Sequence, residues 1–167
     1  MGSDRVSVRG ATATDWDQIW GFMRGIVAAG ETYAWDTQIS EAQARAIWMR
    51  DPPRRTLVAV DGDGRVVGTA EMGPNHGGPG SHVATAGFMV DPDYSGRGLG
   101  RALGERVIAQ AREDHYRAIQ FNAVVETNTR AVALWRSLGF EVLTTVPAAF
   151  QHPREGYVGL NIMYLRL

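Results

Sequence analysis

The stretch VDPDYSGRGLGRALGERVI, residues 90–108, places three glycines at alternate positions directly before a helix-like segment. Leu99, Leu103 and Val107 recur every four residues and define one apolar helix face. The Asp-Pro-Asp sequence at residues 91–93 interrupts the preceding strand, so a strand, a tight loop and a helix N-terminus are predicted in that order. A glycine inside a helix costs about 1 kcal/mol relative to alanine, so these glycines need a physical reason.

Two explanations fit the glycines. They let the helix pack closely on the sheet or give the loop positive φ angles, or they let an anion approach the unpaired N–H groups of the helix N-terminus. The pattern is not a P-loop, because no lysine followed by serine or threonine closes it. It is not the dinucleotide-binding fingerprint either, because Leu103 stands at the last glycine position and the preceding sheet resembles a hairpin.

Composition excludes several classes of partner. The net charge is −1 and no run of five basic residues occurs, which argues against nucleic acid and anionic membranes as partners. There is no cysteine, the four histidines show no paired ligand spacing, and no Gly-x-Ser-x-Gly elbow is present, so no metal and no serine hydrolase are expected. No apolar run approaches the ~20 residues that span a bilayer, and a cytoplasmic location is expected.

The whole chain, residues 1–167, is predicted to form one mixed α/β domain. The predicted order of elements is β-α-α-β-β-β-α-β-α-β-β. Ser40 is predicted to cap the second helix, and the last two strands are expected at residues 141–146 and 157–167.

The glycine stretch resembles the acyl-CoA pyrophosphate motif of the GNAT superfamily of N-acetyltransferases, [Gln/Arg]-x-x-Gly-x-[Gly/Ala]. Gly98 and Gly100 match its glycines, while Ser95 stands where Gln or Arg is commonest. A shifted alignment that begins at Arg97 and ends at Ala102 also satisfies the motif.

A second motif lies downstream. NTRAVALWRSLGF, residues 128–140, resembles the superfamily signature Asn-x-x-Ala-x-x-Leu-Tyr-x-x-x-Gly-Phe. The two motifs stand in the superfamily order with one strand between them, and the resemblance covers essentially the whole chain. It implies the GNAT fold, a central twisted mixed sheet of about seven strands flanked by about four helices.

The resemblance also implies acetyl-CoA as cosubstrate, with no metal. The cosubstrate would lie in a V-shaped gap between the strand that ends at Val90 and the strand over residues 118–125. Backbone groups of one strand would pair with the pantetheine arm, amides of the glycine loop would hold the pyrophosphate, and two later side chains would complete the site. The implied cofactor-binding residues are Phe88, Met89, Val90, Ser95, Gly96, Arg97, Gly98, Leu99, Gly100, Arg101, Asn128 and Trp135.

Two of these positions have alternative interpretations. Asn128 is also a plausible N-cap of the following helix. Trp135 replaces a tyrosine whose hydroxyl protonates the leaving CoA thiolate in many members, and an indole N–H is not a practical acid. Trp135 either packs against the cosubstrate or belongs to the core. A thiolate with a pKa near ~8.5 leaves without strong acid assistance.

The acceptor amine requires a route for its proton. An alkylammonium has a pKa of ~10.4, so neutralising it at pH 7 costs about 4–5 kcal/mol. Three side chains are candidates for the general base, namely Glu71, Glu126 and His82. Proton removal through a chain of water molecules is an alternative of the same weight as each of these three side chains.

The loop GETYAWD, residues 30–36, lies where superfamily members bind the acceptor. Glu31, Thr32, Tyr33 and Trp35 combine aromatic surface with polar groups, a lining typical of a site for a small polar substrate. The alternative is a folded loop whose aromatic side chains fill the interior.

The resemblance predicts an acetyl-CoA-dependent N-acetyltransferase that acts on a primary or secondary amine of a small molecule by direct attack in a ternary complex. This loop and residues 149–164 are similar to the branch of phosphinothricin and azetidine-carboxylate acetyltransferases, which implies an amino-acid-like acceptor. Two alternatives stay open: a non-catalytic acyl-CoA sensor or structural subunit, favoured by Trp135, and a protein or peptide N-acetyltransferase. The sequence allows a homodimer without deciding it.

Overall fold

The computed structural model describes residues 5–167, so the first four residues of the predicted domain lie outside the described part. Four helices are found there: α1 (Trp16–Ala29), α2 (Glu41–Trp48), α3 (Leu99–Glu113) and α4 (Thr129–Ser137). Seven strands are found: β1 (Ser7–Gly10), β2 (Arg55–Val60), β3 (Val66–Pro74), β4 (Val83–Val90), β5 (Ala118–Val125), β6 (Glu141–His152) and β7 (Gly156–Arg166). The predicted fold class and order of elements are confirmed.

All seven strands form one twisted sheet in the order β1-β2-β3-β4-β5-β7-β6. Every neighbouring pair is antiparallel except β4 and β5, which are parallel. The sheet is therefore mixed, as predicted.

The parallel pair is short. β4 and β5 are paired only at Val83 with Ala118 and at Ala84 with Ile119, although each strand has eight residues. Beyond these two positions the strands separate, and a gap opens toward their C-terminal ends.

Two apolar clusters cover the faces of the sheet. Helices α1 and α2 pack on one face around Ile19, Met23 and Trp48. Helices α3 and α4 pack on the other face, where Leu103 and Trp135 are buried. The gap between β4 and β5 is thus bordered by α1 and α2 on one side and by α3 and α4 on the other.

Polar side chains fix where the helices begin. The Ser40 hydroxyl accepts a hydrogen bond from the Gln43 N–H at 3.2 Å, which confirms the predicted cap of α2. The side-chain Oδ1 atom of Asn128 accepts one from the Ala131 N–H at 3.4 Å, which confirms the predicted cap of α4. Before α3, Gly98 has a φ of 77°, a left-handed conformation that favours glycine.

The predicted end of β6 at residue 146 is wrong. The strand continues to His152 across a register irregularity between Val146 and Phe150, where Ala148 has a φ of 51°. Pro147 does not end the strand because β6 is the sheet edge and needs no N–H donor on its outer side.

The edge strand carries exposed apolar side chains, among them Leu143 and Val146. A homodimer through this edge stays a prediction. In residues 5–167, none of the helices has the length and apolar character needed to cross a membrane.

Candidate active site

A cavity of about 950 Å³ opens where β4 and β5 separate. It continues through the sheet, because residues from the α3–α4 face and from the α1–α2 face both line it. Most of the predicted site residues are brought together here. Those that line the cavity are Thr32, Tyr33, Trp35, Glu71, Phe88, Met89, Val90, Ser95, Gly96, Gly98, Leu99, Gly100, Arg101, Asn128 and Trp135.

The loop and first helical turn from Gly96 to Arg101, here called the cradle, form one wall of the cavity. The first backbone bond of α3 joins the Ala102 N–H to the Gly98 carbonyl at 3.0 Å, and no side chain caps the helix. Across the described residues, no acceptor is found for the N–H groups of the cradle. These amides and the positive end of the helix dipole favour an anion.

The glycines of this stretch serve different purposes. A Cβ on Gly98 would meet nothing within 4 Å, so this position requires glycine for its φ of 77° and not for space. A Cβ on Gly104, by contrast, would lie 2.9 Å from both Leu138 and Trp135. Gly104 therefore permits the close approach of α3 to α4, which is the packing explanation, although the partner is a helix and not the sheet.

The arginines near the cradle differ in position. Arg97 does not line the cavity, and its guanidinium lies over the Tyr94 ring at 4.8 Å. Arg101 lines the cavity and donates to the Ser137 hydroxyl at 2.6 Å. Sequence reasoning missed Arg130, which lines the cavity with its Nη2 atom 3.9 Å from an ideal Cβ on Gly96.

The register of β4 decides which of its peptide groups face the gap. Bonds from the Asn75 N–H to the Val83 carbonyl and from the Asp91 N–H to β3 fix the odd-numbered residues as those paired with β3. Because an antiparallel ladder alternates, the even-numbered residues of β4 turn their N–H and C=O groups toward β5. Past the paired residues these are Ala86, Phe88 and Val90.

This register corrects one predicted contact. Met89 stands opposite Thr69, so its backbone groups face β3 and are not available to a ligand in the gap. Its side chain is buried and lines the cavity on the α1–α2 face. Phe88 and Val90 keep the orientation that pairing with a pantetheine arm would need.

The Tyr33 hydroxyl is hydrogen-bonded to the backbone of Phe88, the middle one of the three β4 residues whose backbone groups face the gap. The hydroxyl accepts a hydrogen bond from the Phe88 N–H at 2.8 Å and donates one to the Phe88 carbonyl at 3.0 Å. Burial raises the pKa of the Tyr33 hydroxyl, which keeps it neutral and able to donate. The acceptor loop and the cofactor strand, which were predicted as separate parts, are thus directly connected.

Trp135 lies in the core, as one of its two interpretations predicted, and also reaches the cavity. It is buried in the core with its ring centroid 4.6 Å from that of Phe88 and 4.9 Å from that of Phe121. Packing against the cosubstrate stays a prediction. No hydroxyl stands at this position, so the ring contributes an apolar surface to the gap.

Glu71 is the predicted base that lines the cavity. It stands opposite Gly87 of β4, and its Oε2 atom accepts a hydrogen bond from Arg54 at 2.9 Å. Burial raises the pKa of the Glu71 carboxyl, while Arg54 acts in the opposite direction. In the described part of the chain no donor is found for Oε1.

The other two candidates lie outside the lining. Glu126 accepts a hydrogen bond from the Gly159 N–H at 2.6 Å, which directs its carboxylate toward β7. His82 is exposed and precedes β4, at the end where β4 and β5 are paired. Neither side chain lines the cavity, so Glu71 is the one of the three candidate bases that lies at the site.

Three aromatic rings form a cluster on the α1–α2 side of the cavity. The centroid of Tyr33 lies 5.4 Å from that of Trp35 and 6.2 Å from that of Trp48, with edge-to-face geometry. Trp48 was not among the predicted site residues, because its helical spacing from Ala44 predicted that it belongs to the buried apolar face of α2. Glu31, although predicted to bind substrate, does not line the cavity and instead forms an ion pair with Arg154.

Comparison with known proteins identifies the class. The Acetyltransferase (GNAT) family model matches residues 20–140, which is well over half of the chain. The chain therefore belongs to the GNAT acetyltransferase family and is an acyltransferase.

Individual relatives agree with this assignment. The chain is 31% identical to the L-amino acid N-acyltransferase MnaT of Escherichia coli over 119 residues, which cover 68% of this chain and 67% of that protein. It is 56% identical, with a TM-score of 0.94, to a solved GCN5-related N-acetyltransferase from Kribbella flavida, and the match covers 97% and 98% of the two chains.

A solved phosphinothricin acetyltransferase from Sinorhizobium meliloti has the same fold. The TM-score is 0.86 at 22% identity, and 97% of this chain and 88% of that chain are covered. That structure is a complex with acetyl-CoA.

Proposed function

We propose that this protein transfers the acetyl group of acetyl-CoA to the amine of a small molecule by direct attack in a ternary complex. The observation that carries the proposal is a single cavity with the anion-binding cradle on one face of the sheet and Glu71 on the other. One chamber thus holds both an activated acyl donor and a base for the acceptor.

The residues of the cradle fit the cosubstrate. A diphosphate needs several donors together, and the amides from Gly96 to Arg101 supply them without a protein acceptor of their own. Arg101 and Arg130 add positive charge at the same wall. The gap-facing peptides of Ala86 and Val90 offer the hydrogen bonds of an unpaired strand edge, which an extended pantetheine arm can take. Those of Phe88 become available once the Tyr33 hydroxyl is displaced.

The proton balance follows from the position of Glu71. Glu71 removes one proton from the bound ammonium, and the neutral amine attacks the thioester carbonyl carbon. The C–N bond forms and the C–S bond breaks. The second amine proton leaves with the CoA thiolate or passes to solvent, since Trp135 offers no acid.

A small molecule is favoured over a protein acceptor by the lining. The acceptor side is lined by the aromatic side chains Tyr33, Trp35 and Trp48, a lining typical of a small-molecule site. The net charge of −1 gives no overall attraction to a strongly charged peptide. The relation to MnaT, which is named for L-amino acids, supports an amine of amino-acid size.

The test is a CoA release assay with a thiol reagent over amino acids, amines, polyamines and short peptides. The protein has no cysteine, so the reagent reports only CoA. Gly100→Trp, which fills the cradle, and the milder Arg130→Gln should weaken acetyl-CoA binding in calorimetry. Thermal unfolding of each variant checks that the fold is retained.

The outcomes separate the alternatives. Turnover of one amine class that weakens in the cradle variants supports the proposal. Acetyl-CoA binding without turnover over the whole panel would instead indicate an acyl-CoA sensor, and exclusive use of peptides would indicate a protein N-acetyltransferase.

A further inference from the structure

The part of the cavity on the α1–α2 face, here called the acceptor pocket, is walled by aromatic side chains and contains one carboxylate. Its walls are Tyr33, Trp35 and Trp48, and its carboxylate is Glu71. Apolar lining continues outward through the side chains of Ile26, Ala34 and Ile47.

Gly87 brings the carboxylate and the aromatic rings to one point. It stands opposite Glu71 in the β3–β4 ladder. A Cβ on Gly87 would lie 2.9 Å from the Tyr33 hydroxyl and 3.3 Å from the Trp48 ring. Gly87 therefore lets Tyr33 and Trp48 pack directly on the β4 backbone opposite Glu71, which places the carboxylate and the aromatic rings side by side in the pocket wall.

The basic and the acidic side chains that line the cavity lie on opposite faces of the sheet. Among residues 5–167, the basic side chains that line the cavity are Arg101 and Arg130, and both belong to the cradle wall on the α3–α4 face. On the acceptor side the charged lining residue is Glu71. A substrate carboxylate placed there would meet a like charge and apolar walls, which is costly without a cationic partner.

Three arginines lie near the pocket without lining it, and two of them are engaged in other contacts. Arg54 donates to the Pro74 carbonyl at 3.0 Å and to Glu71 at 2.9 Å, and it does not line the cavity. Arg154 is ion-paired with Glu31 beyond the lining. Arg50 is near enough for its charge to lower the pKa of Glu71, but it lies outside the lining as well.

From this arrangement we infer that the acceptor is a primary amine on an apolar or aromatic body that carries no carboxylate, and that Glu71 and the aromatic wall select it. The inference rests on the proposed function and narrows its substrate class. It departs from the amino-acid-like acceptor that the sequence resemblance implies, because the acceptor side of the lining, within the described residues, offers no cation for a carboxylate. The ammonium is held by the Glu71 carboxylate and by the faces of the rings, and the body packs on Trp35.

Matched pairs test the inference directly. Phenethylamine is compared with L-phenylalanine, and 3-methylbutylamine with L-leucine, because each pair differs only in the carboxylate. We expect kcat/KM for the amine to exceed that for its amino acid by at least about tenfold, which corresponds to about 1.4 kcal/mol.

Two variants assign the selectivity to the pocket. Glu71→Gln should reduce the amine-to-amino-acid ratio of kcat/KM, whatever the absolute rate, because a neutral amide no longer repels a carboxylate. Trp35→Ala should raise KM for phenethylamine at least about fivefold and leave KM for ethylamine nearly unchanged. Trp20→Ala is the matched control, since Trp20 stacks on Trp16 away from the cavity.

The failures are distinguishable. If each amino acid equals or exceeds its amine, the inferred substrate class is overturned and the acetyltransferase proposal stands. If no amine of the wider panel is acetylated although acetyl-CoA binds, both are overturned. An unchanged ratio in Glu71→Gln would overturn the role of its charge in selection.

Discussion

At the scale of single residues, the base assignment depends on the environment of Glu71. A free base must accept the amine proton, so kcat/KM falls as the pH falls through the pKa of that base. Burial raises the pKa of Glu71 above its ordinary 4.5. We expect an acid limb above that value in the pH profile, and Glu71→Gln should remove the limb and lower kcat by about 100-fold or more.

Glu126→Gln is the matched control for this prediction, because the same chemical change occurs at a carboxylate that bonds the Gly159 N–H outside the lining. Its pH profile should keep the acid limb. A limb that persists in Glu71→Gln and disappears in Glu126→Gln would transfer the role of base to Glu126.

Tyr33 gives a second prediction for a single residue. Its hydroxyl holds both backbone groups of Phe88, so a pantetheine arm that pairs with Phe88 must first displace it. Two neutral hydrogen bonds contribute about 1–3 kcal/mol together. Tyr33→Phe keeps the ring and should therefore tighten acetyl-CoA binding severalfold in calorimetry. Unchanged affinity would mean that the arm does not use Phe88.

At the scale of elements, the α3–α4 contact depends on one missing side chain. Gly104→Ala adds a methyl group 2.9 Å from Trp135 and Leu138, and such overpacking costs about 1–3 kcal/mol. Gly21→Ala is the control at an exposed position of α1, where a Cβ would meet nothing within 4 Å and about 0.4–1 kcal/mol of stability is gained. Urea unfolding should show opposite signs for the two variants, and equal signs would contradict the packing role of Gly104.

The junction of β1 and α1 gives a pH-dependent prediction. Asp15 bonds Arg9 at 2.8 Å and the Thr12 N–H at 2.7 Å, and these bonds lower its pKa from 3.8 to about 2. A lowered carboxyl pKa stabilises the fold at pH values above 3.8, and the gain is lost as the pH falls toward 2. Because Arg9 is half exposed, we expect only about 1–2 kcal/mol.

Asp15→Asn measures this contribution. The variant should be less stable than the parent in urea at pH 7, and the difference should shrink as the pH is lowered toward 2, where half of the parent carboxyl groups are protonated. A difference that is constant from pH 7 to pH 2 would show that the loss comes from packing and not from charge.

The sequence predicted those elements whose signals are local. The helix after Gly98 begins at Leu99, and Ser40 and Asn128 cap helices as expected, because each signal lies within three residues of its effect. The end of β6 was missed because a proline predicts a break only where its N–H would be needed, and that depends on which strand lies at the sheet edge.

At the scale of the whole molecule, the cavity follows from the sheet order. The cradle was predictable from contiguous residues, but the acceptor pocket joins Tyr33 to Phe88, 55 residues later, and Arg54 to Glu71, 17 residues later. No periodicity encodes these contacts. The exclusion of Glu126 from the site likewise depends on its bond to Gly159 across the sheet.

The same architecture predicts how the molecule responds to its cosubstrate. In the free protein the cradle amides have no protein acceptor, so Gly96–Arg101 should exchange hydrogen rapidly, and so should the gap-facing amides of Ala86 and Val90. Acetyl-CoA should slow both sets. Acetyl-pantetheine lacks the nucleotide and its pyrophosphate, so it should protect β4 and leave the cradle in rapid exchange.

Hydrogen exchange measured by NMR resolves the two sets, and cradle protection by acetyl-pantetheine would contradict the assignment of these amides to the pyrophosphate. Acetyl-CoA that protected β4 alone would contradict it equally, because the donors of the cradle would then serve no phosphate.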